Sequence, residues 1–419
     1  MNKLSETSTR SCSVAVVGGG PAGLALAAEL KRLGVNDVVV LEREAHAGGI
    51  PRHCGHYPFG VREFGRLLKG PDYARKNVKT ALDLGVEIRL ETTVTSLHPN
   101  GRLSLSTPTG REELKVDRVV LCTGVRESSR AQRLISGDRP LGIMSTGALQ
   151  SLVYLQGMQP FKNPVILGSE LVSFSSIDTC RHLGMRPVAM IEEQNRIVTH
   201  RILQTYLVVR GVPLFVSAKS LKIVGRGRVE AIEFIDAHGD LKRLETDGVI
   251  ISGRFRPEAA LLQHSHLEVD PGSGGPVIDQ FGRCSDPSYY SAGNLLRPAE
   301  TAGWCWREGV ATAKWITEDL VEQGKKASVE DVKLTILDPA IQFILPQRLS
   351  LSKRVGGMDK MQIGLKQPSS GVLQASINDN CIWSARIKGH PVRRIQKPLA
   401  EVLKKESGAN VKFTIRRDL

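Results

Sequence analysis

The chain has 419 residues, 41 % of them hydrophobic and 24 % charged, with a formal net charge of +14. That apolar content supports a sizeable core and excludes global disorder. The 41 glycines gather in short turns rather than a collagen period, which excludes a fibre. The seven cysteines include no CxxC pair, which excludes a disulfide scaffold and points to a reducing compartment.

The opening residues MNKLSETSTRSCS lack the apolar core of a signal peptide. The uncharged run 11–28 is crossed by Gly18, Gly19, Gly20, Pro21 and Gly23, so no membrane span is expected there. A soluble, cytoplasmic protein is the expectation.

Residues 13–17 (SVAVV) read as a buried strand. The turn Gly18-Gly19-Gly20-Pro21-Ala22-Gly23 follows, then a helix ending at Gly34, then a second strand, VVVLE, ending at Glu42 and flanked by Arg43. Strand, glycine turn, helix, strand and terminal acid together form a dinucleotide-binding fingerprint. Gly18 permits the tight turn, Gly20 the approach of a pyrophosphate and Gly23 close helix–strand packing. The helix N-terminus offers N–H groups and partial positive charge to phosphates, and Glu42 would accept ribose hydroxyls. The glycine pair Gly48-Gly49 comes shortly after Glu42.

Residues 48–64 (GGIPRHCGHYPFGVREF) crowd Arg52, His53, Cys54 and His56 together, with Phe59 and Phe64 beyond. His suits proton transfer near neutral pH, so a proton-donating or substrate-orienting role is one reading. Loop capping is another. A His-x-x-His metal pair is the third, but it lacks a further ligand nearby, and no metal is expected.

The segment 116–127 (VDRVVLCTGVRE) is a strand ending in Thr123-Gly124. Residues 164–193 then repeat the opening pattern, but where glycines should stand at 168, 170 and 173 the sequence has Gly168, Glu170 and Ser173. A carboxylate at the mouth of that helix repels phosphate, and Ser173 crowds the helix–strand contact. A surviving fold with a lost NAD(P) site is expected. Binding of NAD(P) in an altered pose is the alternative.

The segment 287–294 is a late strand running into Gly293-Asn294, and a helix is expected from about Thr301 to Val321. Cys12, Cys54, Cys122, Cys180, Cys284, Cys305 and Cys381 are scattered, which argues against a dithiol mechanism and against an iron–sulfur cluster held within this chain.

Within 331–419, 16 Lys/Arg stand against 7 Asp/Glu, so most of the positive charge lies in the tail. No basic helix with interleaved aromatics and no zinc spacing accompanies it, and nucleic acid is not expected as a partner. Its segments alternate apolar and polar residues as half-buried strands do, with Asn378-Asp379-Asn380 as a hairpin turn. Residues 391–405 add a strand and a short helical turn. Arg393, Arg394, Arg416 and Arg417 make this small β-domain basic; partner docking, cover for the preceding domain and a stability cap are its candidate roles.

The acid with its glycine pair, the Thr-Gly strand and the late Gly-Asn strand together resemble the FAD-dependent oxidoreductases with two dinucleotide-binding domains, the pyridine nucleotide–disulfide oxidoreductase superfamily. The stretches GGIPRHCGHYPFG, RPLGIMSTGALQ and AGNLLRPAETAGWCWREG resemble the flavoprotein subunits of opine oxidase, hydrogen cyanide synthase and dye-linked proline dehydrogenase complexes. The resemblance implies an α/β fold of two Rossmann-like domains, the second inserted in the first, followed by the small β-domain. The expected boundaries are 1–143 with 254–325 for the FAD domain, 144–253 for the inserted domain and 331–419 for the tail. It further implies FAD held by Gly18, Gly20, Pro21, Ala22, Gly23, Glu42, Arg43, Gly49, Thr123, Gly124, Gly293, Asn294, Glu300 and Thr301, with Arg52, His53 and His56 beside the ring as the catalytic group. Asn294 replaces the acid usual at its position. The implied function is that of one chain of a dehydrogenase or oxidase complex, partnered by a second flavoprotein, that acts on a small amino acid, opine or hydroxy acid and passes electrons to an acceptor other than NAD. A self-sufficient FAD/NAD(P)H oxidoreductase and a scaffold with structural FAD are the alternatives.

Overall fold

The computed structural model describes residues 9–322, 331–351, 356–391, 393–399, 402 and 410–417. The chain forms two compact units, one of residues 1–49, 76–125 and 257–419 and the other of 50–75 and 126–256. The fold is α/β, as expected.

The first unit is built on a seven-stranded sheet. Its parallel part runs Glu87–Arg89, Val38–Leu41, Thr9–Val17, Gly110–Leu121 and Tyr289–Ser291. Arg102–Thr107 and Thr93–His98 extend it antiparallel from Gly110–Leu121. The apolar runs VVVL and SVAVV are continuous rather than alternating because both faces are covered. Val14, Val16, Val38, Val40 and Val120 pack on one side with the helices Pro21–Arg32 and Ala302–Val321. Ala15, Val17, Val39, Leu41 and Val119 pack on the other with Leu97, Leu103 and Leu105 of the antiparallel hairpin. Each such fully buried Val or Leu contributes about 1.5–3 kcal/mol.

The C-terminal part of this unit carries its own core around Val332, Ile363, Leu373 and Phe413. It comprises a five-stranded and a three-stranded sheet. Ser369–Ile377 and Asn380–Gly389 form the expected hairpin, with Asn378 and Asp379 both left-handed at φ 46° and 67°. Of the helical turn expected near the end of 391–405, only Val402, which is helical and buried, lies among the described residues. Side-chain amides tie this part to the segment before it. Gln280 Nε2 donates to Ser350 O at 2.7 Å, and the Ser350 N–H donates to Gln280 Oε1 at 2.8 Å.

The second unit has a five-stranded, all-parallel sheet in the order Leu214–Phe215, Ala189–Ile191, Pro164–Leu167, Gly248–Ile251, Ile143–Ser145. Its later segment spans residues 126–256, and two strands before residue 146 pair within it. Ser136–Gly137 joins the sheet of Lys219–Val224, and Ile143–Ser145 joins Gly248–Ile251. Among the described residues no helix is long and apolar enough to cross a membrane.

Candidate functional site

In the first unit the turn after Thr9–Val17 is shaped by backbone crowding. Gly18 has φ +109°, its N–H donates to Leu41 O at 2.9 Å, and a Cβ on it would lie 2.5 Å from the Cys122 carbonyl oxygen. A Cβ on Gly23 would collide with the Gly18 carbonyl, so only glycine lets the helix Pro21–Arg32 start this close to the strand. Gly20 caps that helix without a side-chain hydrogen bond, and Pro21 opens it, its missing N–H costing nothing there. A Cβ on Gly20 would find only the Gly49 Cα, 4.0 Å away, while one on Gly49 (φ +61°) would lie 2.9 Å from the Gly20 Cα. The helix mouth is thus a backbone-lined cradle whose floor is two glycines.

Glu42 is buried at the end of its strand. It accepts from the Gly19 N–H through Oε2 and from the Glu44 N–H through Oε1, both at 2.9 Å. Those bonds fix the carboxylate at the rim of the cradle and leave each oxygen further acceptor capacity. Arg43 beside it is exposed. Thr123 Oγ1 donates to Glu258 O at 2.8 Å, and Gly124 (φ +77°) faces open space.

The third side comes from the late strand. Gly293 (φ +77°) is pressed to Ala22, since a Cβ on it would lie 2.7 Å from the Ala22 Cβ. The Asn294 amide clamps Glu300 from both sides, Nδ2 donating to Glu300 O at 3.0 Å and the Glu300 N–H donating to Oδ1 at 2.6 Å. Thr301 then caps the helix Ala302–Val321, close to the expected start. The residues predicted to hold a cofactor therefore all lie in one unit, around the mouth of one helix and the start of another. FAD fits this arrangement: an uncapped helix N-terminus, glycines where a side chain would obstruct and a carboxylate at the strand end.

The predicted ring-side residues belong to the second unit. Arg52 and His53 close the short helix Ile50–His53, and both are half-buried. Cys54 is buried, its thiol donating to Ile50 O at 3.4 Å and to Gln150 Oε1 at 3.6 Å. Burial pushes that thiol up to about 12, so it carries no thiolate at neutral pH. His56 Nδ1 lies 2.9 Å from Tyr57 O; a carbonyl only accepts, so Nδ1 holds the proton and Nε2 is the acceptor in the neutral ring. Phe59 packs between His56 and Tyr73, and Phe64 also packs on Tyr73. Among the described residues no group of three His, Cys, Asp or Glu is placed to hold a metal.

The same unit repeats the first turn at an offset of 150 residues, Gly168 standing where Gly18 stands in the first. Gly168 has φ +111°, its N–H donates to Ile191 O at 2.8 Å, and a Cβ on it would lie 2.5 Å from the Ser252 carbonyl oxygen. The helix Leu171–His182 matches Pro21–Arg32, and Glu192 matches Glu42, accepting from Ser169 Oγ at 2.5 Å and from the Gln194 N–H at 2.9 Å. The match fails at the helix mouth. Glu170 is the cap, and its Oε1 accepts from the Arg254 N–H at 2.6 Å. The Glu170 carboxylate lies against Gly253, whose Cβ would come 2.5 Å from the Glu170 Cδ. Burial raises this carboxyl above the usual range, partly offset by the Arg254 N–H and the Arg133 guanidinium. Sequence reasoning found the charge of Glu170 but not its partner, which lies 84 residues away.

A sequence profile described as pyridine nucleotide-disulphide oxidoreductase matches residues 12–309. The A subunit of opine oxidase from Rhizobium meliloti (strain 1021) is 27 % identical over 263 residues, covering 61 % of this chain and 56 % of that protein. The chain thus matches little more than half the length of that relative. T. acidophilum thioredoxin reductase superposes with a TM-score of 0.63 at 22 % identity, over 75 % of this chain and 100 % of that one. L-proline dehydrogenase from P. horikoshii superposes with a TM-score of 0.57 at 20 % identity, over 75 % of this chain and 57 % of that one. These two likenesses establish a shared fold.

Proposed function

The chain belongs to the pyridine nucleotide-disulphide oxidoreductase family of FAD-binding oxidoreductases, and from that premise we propose that it is the FAD-carrying subunit of a hetero-oligomeric dehydrogenase or oxidase. Its substrate would be a small amino acid, opine or hydroxy acid, and its electron acceptor one other than NAD. FAD supplies the two-electron chemistry when bound.

The observation that carries this reading is the glycine cradle. Gly18, Gly20, Pro21, Ala22 and Gly23 would receive the pyrophosphate at the helix mouth, with Gly49 packed beside Gly20. Glu42 would accept the adenosine ribose hydroxyls, with Arg43 beside it. Thr123, Gly124, Gly293 and Asn294 would line the path toward the flavin. Glu300 and Thr301, at the start of Ala302–Val321, would border its pyrimidine edge, where the positive helix end favours an anion. Arg52, His53 and His56, which follow Gly49 closely in the chain, would orient the substrate and hold or accept its proton.

Two observations support an acceptor other than NAD. The residue that opens the second helix is Glu170 rather than glycine, its carboxylate held by the Arg254 N–H beside that helix start, and Ser173 stands where a glycine would allow close packing. A disulfide-reductase mechanism is disfavoured because six of the seven thiols are buried and separate. The likeness to one chain of an opine oxidase supports assembly with a second chain.

Purification from the native source, with a visible spectrum and mass spectrometry of co-purifying chains, tests the reading. A flavin spectrum and a second flavoprotein chain support it. Colourless protein that takes up no added FAD overturns it. Anaerobic bleaching of the flavin by NADH alone would identify a self-sufficient NAD(P)H oxidoreductase instead.

A further inference from the structure

We propose that Arg394, contributed by the C-terminal β-domain, is a positioning residue for the flavin site. It holds the turn 293–301 in place and neutralises the carboxylate that would face the reduced cofactor. The inference rests on the FAD reading above and extends it to a part of the chain beyond the family profile, which ends at residue 309.

The geometry is a chain of alternating charges. Arg394 Nε lies 2.7 Å from Glu300 Oε1, with the two side chains only 12 % and 15 % exposed. Its Nη1 donates to Gln362 Oε1 at 2.5 Å and lies 3.8 Å from Glu308 Oε1. Its guanidinium stacks over the Trp304 ring, 5.2 Å from the centroid. Glu308 is in turn paired with Arg297, which is almost fully buried and donates to Gly293 O at 3.2 Å. Arg297, Glu308, Arg394 and Glu300 thus bracket both ends of the turn that carries Gly293 and Asn294.

That turn needs bracing. Ala299 has φ +25°, a conformation that residues with a Cβ rarely adopt. The next residue, Glu300, is gripped by Asn294 through its backbone and by Arg394 through its carboxylate. Two arginines against two glutamates leave the group neutral, so the positive end of Ala302–Val321 is unopposed where an anion would form. Without Arg394 the same group carries a net negative charge, held at low exposure where screening is weak. A negative charge there disfavours the anionic reduced flavin, so the potential falls.

The test uses the full chain loaded with FAD. FAD affinity and the reduction potential of the bound flavin are measured for wild type, Arg394→Gln, Arg394→Lys, Glu300→Gln and the double variant Glu300→Gln with Arg394→Gln. Arg394→Gln is expected to shift the oxidised/reduced equilibrium about tenfold toward the oxidised form, which is about 30 mV for a two-electron couple. Arg394→Lys should keep most of the wild-type potential. Glu300→Gln should move it the opposite way, and the double variant should return it to near wild type. A bound flavin whose potential is unchanged in both Arg394→Gln and Glu300→Gln overturns the proposal, as does lost FAD content with an unaltered potential in the loaded fraction. Wild-type chain that takes up no FAD overturns the cofactor reading itself, and this inference with it.

Discussion

The Glu170 carboxylate accepts a hydrogen bond from the Arg254 backbone N–H at 2.6 Å, across 84 residues of chain. At the matching place in the first unit stands Gly20, with no side chain at all. A carboxyl-bearing side chain thus stands at the start of the second helix, turned to the Arg254 N–H rather than to the helix N–H groups, and a negative charge so placed disfavours a pyrophosphate there. Replacing Glu170 and Ser173 together by glycine should therefore raise the rate at which NADH bleaches the bound flavin by at least about tenfold. Stopped-flow absorbance under anaerobic conditions measures it. Equal NADH reactivity in wild type and the double variant would refute the proposed loss of the second nucleotide site.

The first cradle makes the converse prediction. A methyl on Gly23 must displace either the Gly18 carbonyl or the helix itself, because their separation leaves no room for it. Gly23→Ala should cost about 1–3 kcal/mol, the usual range for forced overpacking, and should lower FAD content sharply. Gly227→Ala is the control, since a Cβ there meets nothing within 4 Å. A urea midpoint and the ratio of flavin to protein absorbance separate the two. A Gly23→Ala protein with full flavin content would contradict the packing argument.

The reach of the sequence can be judged from these same residues. Gly18, Gly23 and Glu42 declared the first βαβ unit because their spacing follows from helix and strand geometry within one short segment. The repeat at Gly168 and Glu192 was legible for the same reason. What stayed hidden were contacts between distant segments. Nothing local ties Glu300 to Arg394, or Glu170 to the Arg254 N–H, and no periodicity reports that 50–75 clusters with 126–256. The chemistry of the Asn294 position was visible, but not that its amide grips Glu300. Turn chemistry, by contrast, was fully local, and the hairpin at Asn378-Asp379 formed where those residues predicted it.

Thiol chemistry offers a direct check on the absence of a redox pair. Cys381 is the exposed thiol, and the other six are buried. Burial pushes Cys54, Cys122 and Cys180 up to about 12, and raises Cys284 and Cys305 as well. The thiolate is the reactive species, so native protein near pH 8 should react with a thiol reagent at one site, and denatured protein at seven. The sign of the pH effect follows. Unfolded thiols lose their protons near pH 9 while the folded ones keep theirs, so stability present at neutral pH declines as pH rises from about 9 toward 12. Two fast-reacting native thiols would reopen a dithiol mechanism.

The hairpin carries the last prediction. Asn378 and Asp379 both adopt left-handed backbone, the signature of a two-residue type I′ turn. Asn is at home in that region, whereas Asp at φ 67° is tolerated less well than glycine would be. The Asp379 carboxylate is 96 % exposed and only 3.9 Å from Lys412 Nζ, so losing it should cost almost nothing. Asp379→Gly creates the Asn-Gly pair that this turn favours, and should stabilise the C-terminal β-domain by a few tenths to about 1 kcal/mol. Asp379→Val should act in reverse, because a β-branched side chain strains the same backbone. Opposite shifts in the midpoint of thermal unfolding for the two variants would support the assigned turn. A destabilised Asp379→Gly protein would mean that the greater freedom of glycine in the unfolded chain outweighs the relief of strain.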